Sequence, residues 1–163
     1  VTPTGFTTFQ YQNLSRVKIW GLEAKGEWKF APQWTLYGAA AYARGEDEAT
    51  GAPINSVDPL TGVAGLRYSH FSGWSIEGRV KAVASKNRVS DATVFKPRGY
   101  ATYDVLASYE INKHISINAG VFNIFDRSYF NAVDVAGVTK TNPNLELFRA
   151  TGRSFAMNVT ARF

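Results

Sequence analysis

From Arg16 onward the chain alternates. Trp20, Leu22, Ala24, Gly26, Trp28 and Phe30 share one parity, and Gly21, Glu23, Lys25, Glu27 and Lys29 share the other. A period of two puts the first set on one face of a strand and the charged set on the opposite face. The same alternation predicts six further strands. They cover 34–43 (Trp34, Leu36, Ala40, Tyr42), 60–69 (Ala64, Leu66, Tyr68 against Arg67, Ser69), and 74–85 (Trp74, Ile76, Gly78, Val80, Ala82, Ala84 against Ser75, Glu77, Arg79, Lys81, Ser85). Then follow 100–111 (Ala101, Tyr103, Val105, Ala107, Tyr109, Ile111 against Thr102, Asp104, Ser108, Glu110), 115–122 (Ile115, Ile117, Ala119, Val121 against Ser116, Asn118, Gly120), and 153–163 (Phe155, Met157, Val159, Ala161, Phe163). The second strand has the weakest contrast, because Tyr37, Ala39 and Ala41 are scarcely polar. Residues 1–15 read as a loop leading into the first strand.

The connections alternate as well. Tight ones lie at 31–33, 71–74 and 112–114, and long polar ones at 45–58, 86–99 and 126–151. Outer-membrane barrels follow that rule, with short periplasmic turns and long outer loops, whereas soluble sandwiches do not. Trp28, Phe30, Trp34, Phe71, Trp74, Tyr109 and Phe163 gather at the tight-turn ends, where an interfacial girdle belongs. A row such as Glu23, Lys25, Glu27 and Lys29 cannot face a dry core unpaired, but it can line a wet lumen. The fold predicted is all-β, the wall of an antiparallel transmembrane β-barrel. Its tight turns face the periplasm, its long loops face outward, and its last strand runs down to the periplasmic rim.

Composition narrows this little further. The chain has 163 residues, a net charge of +5 and no cysteine, which excludes a disulfide scaffold and thiolate metal sites. No run approaches the roughly 20 apolar residues of a spanning helix. The basic residues are scattered among acidic ones, which argues against nucleic acid as a partner. The first residues carry no signal peptide, so the chain is expected to be mature or a piece of something longer.

Three stretches resemble one family. Tyr11-Gln-Asn-Leu-Ser-Arg-Val-Lys-Ile-Trp-Gly-Leu-Glu23 resembles the Y-x-N…G-x-E strand of TonB-dependent outer-membrane receptors. Gly120-Val-Phe-Asn-Ile-Phe-Asp-Arg-Ser-Tyr129 resembles their N-L-F-D-x-x-Y box, and Gly152-Arg-Ser-Phe155 resembles the closing P-G-R-x-F strand, with Thr151 where proline is usual. Tyr129-Phe-Asn-Ala-Val-Asp-Val-Ala-Gly137 is similar to the haem, haemoglobin and transferrin branch. The resemblance implies a 22-stranded outer-membrane barrel of a Gram-negative bacterium. An N-terminal plug fills such a barrel, and it imports haem or a ferric chelate with energy supplied through the TonB complex. These residues would be its last seven strands, with the plug and earlier strands outside the chain. Seven strands cannot close by the even-number rule, so the other reading has residues 5–12 complete a small eight-stranded barrel with an adhesive or structural role.

The chemistry follows from this placement. The inward row Glu23, Lys25, Glu27, Arg79, Lys81, Asp104 and Glu110 would meet the plug or pair across strands. Arg127, Tyr129, Phe130, Lys140 and Arg149 in the longest loop would suit an anionic, partly apolar ligand, a haem-carrier protein's surface, or lipopolysaccharide phosphates. Tyr129 is the one candidate for a haem tyrosinate. His70 and His114 sit at tight turns, at the rim away from arriving ligand. Glu46, Asp47 and Glu48 are either a solvated loop or a calcium site. No catalytic set emerges, and there is no G-x-S-x-G elbow. Phe163, a terminal aromatic, resembles the signal by which outer-membrane assembly machinery recognises its clients.

Overall fold

The computed structural model describes residues 16–162; the proposed eighth strand at 5–12 and the assembly signal Phe163 lie outside them. Seven strands form one antiparallel sheet in chain order: β1 (Val17–Ala31), β2 (Trp34–Asp47), β3 (Thr61–Ser69), β4 (Trp74–Val83), β5 (Tyr100–Asn112), β6 (Ile115–Phe122) and β7 (Ser154–Ala161). The alternation located all seven. β2 runs four residues past its predicted end because Ile19 and Val17 keep pairing with Gly45 and Asp47. β4 stops at Val83, two residues early.

The registers carry the faces across the whole sheet. Trp28 lies opposite Leu36, Leu36 opposite Leu66, then Gly78, Val105, Val121 and Phe155 follow in one row. A neighbouring row joins Glu27, Tyr37, Gly65, Arg79 and Asp104. A one-residue slip in any pair would turn charges into the apolar face, so the register is strongly specified. That apolar face is uncovered: Leu22, Phe155 and Met157 are each about three-quarters exposed. A bare apolar face seven strands wide suits lipid, not water.

Aromatic rings bound this face at both ends. Near the tight turns, centroids step from Trp28 to Phe30 (5.5 Å), Trp34 (6.5 Å), Tyr68 (4.9 Å) and Trp74 (5.4 Å). Near the long loops, Trp20 meets Tyr42 at 5.8 Å and Tyr103 meets Phe125 at 5.3 Å. Ten residues separate Trp20 from Phe30; at about 3.3 Å each and roughly 40° of tilt they span about 25 Å, the height of an outer-membrane apolar band. β1 and β7 each pair on one side only, so the described sheet is open.

Candidate functional site

The long connections, read as polar loops, form a packed cap over the end of the sheet away from the tight turns. The buried apolar side chains of the described residues are here: Val94, Tyr100, Ala132 and Val135. A short ribbon ties two loops together, with the Phe95 amide donating to the Val138 carbonyl and the Lys140 amide to the Thr93 carbonyl, both at 2.8 Å. The third loop joins through Asn55, whose side chain takes the Ser90 amide (2.8 Å) and donates to its hydroxyl (2.9 Å). The Lys86 ammonium donates to the Val57 carbonyl, and burial pushes its pKa down.

A clasp holds the longest loop by its two roots. Asn123 and Asp126 adopt left-handed backbone angles, φ 51° and 53°, which their short polar side chains tolerate. The Asn123 amide donates to Asp104 Oδ1 at 2.9 Å, and its side chain both accepts from the Arg127 amide (2.8 Å) and donates to the Arg127 carbonyl (2.9 Å). Asp126 Oδ1 accepts the Arg153 amide at 2.7 Å, reaching across to the start of β7. A Cβ at Gly152 would lie 2.4 Å from that same carboxylate oxygen, so any larger residue there requires the Asp126 side chain to move. The Asn-x-x-Asp and Gly-Arg stretches are therefore the two halves of one joint. Gly152→Ala is expected to push Asp126 off the Arg153 amide and cost about 1–3 kcal/mol. Limited proteolysis of the full-length protein should then cut 126–151 faster, and an unchanged cutting rate would refute the clasp.

The inner wall below the cap holds two cross-strand ion pairs. Arg67 binds Glu77 through Nε (2.7 Å) and Nη2 (2.6 Å), while the Tyr37 hydroxyl donates to the same carboxylate and the guanidinium lies 5.8 Å from the Tyr37 ring centroid. Arg79 forks onto Asp104 at 2.7 and 3.1 Å. Of the predicted inward row, Arg79 and Asp104 are thus engaged with each other. Glu23, Lys25, Glu27, Lys81 and Glu110 have no ion-pair partner among the described residues, and all seven share the face. Tyr37 explains why β2 looked poorly polar: its ring lies over Gly65, where a Cβ would collide with it, and its polarity is carried by the hydroxyl alone.

The predicted loop residues are mostly spoken for. Tyr129 stacks on Tyr100 with centroids 3.9 Å apart, and burial pushes its hydroxyl pKa up, which disfavours a tyrosinate ligand. Phe130 meets Phe95 edge-on at 5.2 Å, beneath the Arg149 guanidinium, also 5.2 Å away. Arg149 is further bound to Glu146 and the Ser128 hydroxyl. Tyr129, Phe130 and Arg149 come together; Lys140 sits on the ribbon and Arg127 at the clasp, both exposed. His70 stacks on Trp74 at 5.0 Å and accepts the Ser72 amide; His114 Nδ1 lies 3.0 Å from the Arg162 carbonyl oxygen. Both lie at tight turns. The three acids are not a common site: Glu46 binds Arg44 and Arg88, Asp47 caps the Ala49 and Thr50 amides, and Glu48 lies 3.9 Å from Arg16. No metal-holding group of acids or histidines occurs among the described residues. The alternation alone missed Asn123, Asp126 and Gly152, the joint on which the cap depends.

Comparison with known proteins agrees with this geometry. The family model described as "TonB dependent receptor-like, beta-barrel" matches residues 1–124. The hemoglobin-haptoglobin utilization protein B of Neisseria meningitidis serogroup C is 25% identical over 95% of this chain and 23% of its own length. Transferrin-binding protein A of Haemophilus influenzae is 24% identical over 98% of this chain and 22% of its own. Among solved structures, the copper transporter OprC superposes with a TM-score of 0.79 at 24% identity, covering 90% of this chain and 24% of OprC. The ferric enterobactin receptor PfeA of Pseudomonas aeruginosa superposes with a TM-score of 0.70 at 21% identity, over 93% of this chain and 23% of PfeA. The chain spans about a quarter of the length of these relatives.

Proposed function

Because the chain belongs to the TonB-dependent receptor-like β-barrel family, we propose that it supplies the last strands of an outer-membrane receptor that imports an iron compound with energy delivered through TonB. The observation that carries this reading is the wall itself. It has one uninterrupted lipid face, one wet face and an ordered cap at one end only. A plug and earlier strands would lie in the rest of the receptor. Glu23, Lys25 and Glu27 would face that plug, since Arg79 and Asp104 already satisfy one another. Relatives of which this chain spans about a quarter weigh against a small adhesive barrel.

Within the family, the branch named for protein carriers of iron is favoured. Relatives named for hemoglobin, haptoglobin and transferrin align with nearly all of this chain, while the ferric-pyoverdine receptor of Pseudomonas putida aligns with 34% of it. The cap supports a macromolecular ligand, because its aromatic side chains are packed against each other instead of around a cavity. Arg127, Lys140, Val133 and Leu147 are among the side chains exposed on it.

The test removes residues 128–149 from the full-length receptor and leaves the clasp in place. Growth on haemoglobin as sole iron source should fall at least about ten-fold with the barrel still surface-exposed; unchanged growth refutes the assignment of the loop. His70→Ala and His114→Ala should leave haem affinity within about two-fold, because both rings are held in periplasmic turns.

A further inference from the structure

Burial at the cap end of the sheet follows strand parity. On β2, Gly45 and Asp47 are buried while Arg44 and Glu46 are not; on β5, Tyr100, Thr102 and Asp104 are buried while Ala101 and Tyr103 are not. Both buried sets belong to the face of Glu23 and Lys81, since Gly45 pairs with Ile19, Thr102 with Lys81 and Asp104 with Arg79. Farther down that face Ala39, Ala41, Glu110 and Asn118 are exposed. A single sheet cannot bury one side of its own rim, so the loops must fold inward over it. Val57 and Ile54 do so at Gly45, where a Cβ would lie 2.6 Å from Val57 Cγ2 and 3.3 Å from Ile54 Cβ. Tyr129 does so at Tyr100, ring on ring.

The three loops are also bound to one another. Loop 45–58 holds loop 86–99 through the two Asn55–Ser90 hydrogen bonds and through the Lys86 ammonium on the Val57 carbonyl. Loop 86–99 holds loop 126–151 through the Phe95–Val138 and Lys140–Thr93 backbone pair and the Phe95–Phe130 ring contact. The longest loop is fixed at both roots, by Asp104 on the Asn123 amide and by Asp126 on the Arg153 amide. A common core fills the interior, with Val135 1% exposed and Val94 6% exposed. Long surface loops are ordinarily the least stable parts of a fold, because they have few buried contacts to lose. Here no loop can lift without breaking the hydrogen bonds of its neighbour.

We propose that the three long loops act as one fixed lip, folded inward over the mouth of the barrel, which stays shut through a transport cycle. The ligand passes the edge of this lip, and any loop that opens and closes on it belongs to another part of the receptor. The lip thereby sets the width of the mouth on this side and shields the Arg79–Asp104 pair beneath it. This rests on the receptor reading given above.

Two measurements on the full-length receptor test it. Val94 and Thr139 stand opposite each other in the ribbon, with its hydrogen bonds on either side of them, the arrangement that brings side chains closest. Val94→Cys with Thr139→Cys locks loops 86–99 and 126–151, and Asn55→Cys with Ser90→Cys locks loops 45–58 and 86–99. This chain has no cysteine of its own to compete. Each locked receptor should support growth on haemoglobin as sole iron source within about two-fold of the same variant kept reduced. A ten-fold loss on locking, restored by reductant, overturns the fixed lip. Hydrogen exchange in detergent gives a readout independent of import: Asn55→Ala should speed exchange at the Ser90, Phe95 and Lys140 amides alike, by about five- to ten-fold. Faster exchange at Ser90 alone, or at none of the three, shows separate loops and overturns the proposal. A wild type that cannot grow on haemoglobin sinks the import reading, and the exchange result then decides the lip by itself.

Discussion

Produced alone and refolded in detergent, this chain is expected to give no heat-modifiable barrel on a denaturing gel and to aggregate through its sheet edges. The reason is the open sheet. β1 is 15 residues long and, among the described residues, pairs only with β2, so about every second residue turns an amide and a carbonyl to an edge that no described strand fills. β7 does the same on the other side. In hydrocarbon each unsatisfied backbone group costs several kcal/mol, so two such edges cost on the order of tens of kcal/mol. No apolar contact in the wall can offset that, because lipid is as apolar as the side chains facing it. The same residues within the full-length receptor should be protected and heat-modifiable. A monomeric, heat-modifiable species from the chain alone would sink the reading that further strands complete the barrel, and would restore the small-barrel alternative.

What made the wall readable was the coincidence of period and environment. Glu23, Lys25 and Glu27 on β1 alternate with Leu22, Ala24 and Gly26, and both faces are fixed by solvent alone. Each strand could therefore be read without knowing its neighbours, and the registers only joined rows already assigned. β2 is the instructive exception. Its inner face reads as Tyr37, Ala39 and Ala41, and the meaning of Tyr37 appears only when Gly65 and Glu77 are brought opposite from β3 and β4.

The cap was hidden for the opposite reason. Val94, Tyr100, Ala132 and Val135 obey no period, because a loop core is assembled from irregular backbone. The clasp was visible only as a resemblance of short boxes. Its physical content needed the two left-handed residues and the missing Cβ at Gly152, which no hydropathy pattern encodes. The loop contacts were hidden in the same way: composition named Tyr129 and Arg149, and only packing sets one against Tyr100 and the other against Glu146 and Phe130.

Asp104→Ala is expected to be the most damaging single substitution in the described wall. The side chain is only 10% exposed and does two things at once. It carries the Arg79 fork, and it accepts the buried Asn123 amide that begins the clasp. Truncation strands a guanidinium that is 32% exposed, which softens the loss, and an amide on a residue that is 4% exposed, which does not. Losing a largely buried pair and a buried acceptor together should cost about 3 kcal/mol. Asp104→Asn keeps an acceptor for Asn123 and gives up the charge, so about half that loss is expected. The two roles can be separated in the full-length receptor by urea midpoints in detergent and by proteolysis of 126–151. Arg79→Ala should lower the midpoint but spare the loop, whereas Asp104→Ala should lower it further and expose the loop. Coupling in the double variant should be about 1–2 kcal/mol. If Arg79→Ala and Asp104→Ala prove equivalent in both measurements, Asp104 serves the ion pair alone and does not hold the clasp.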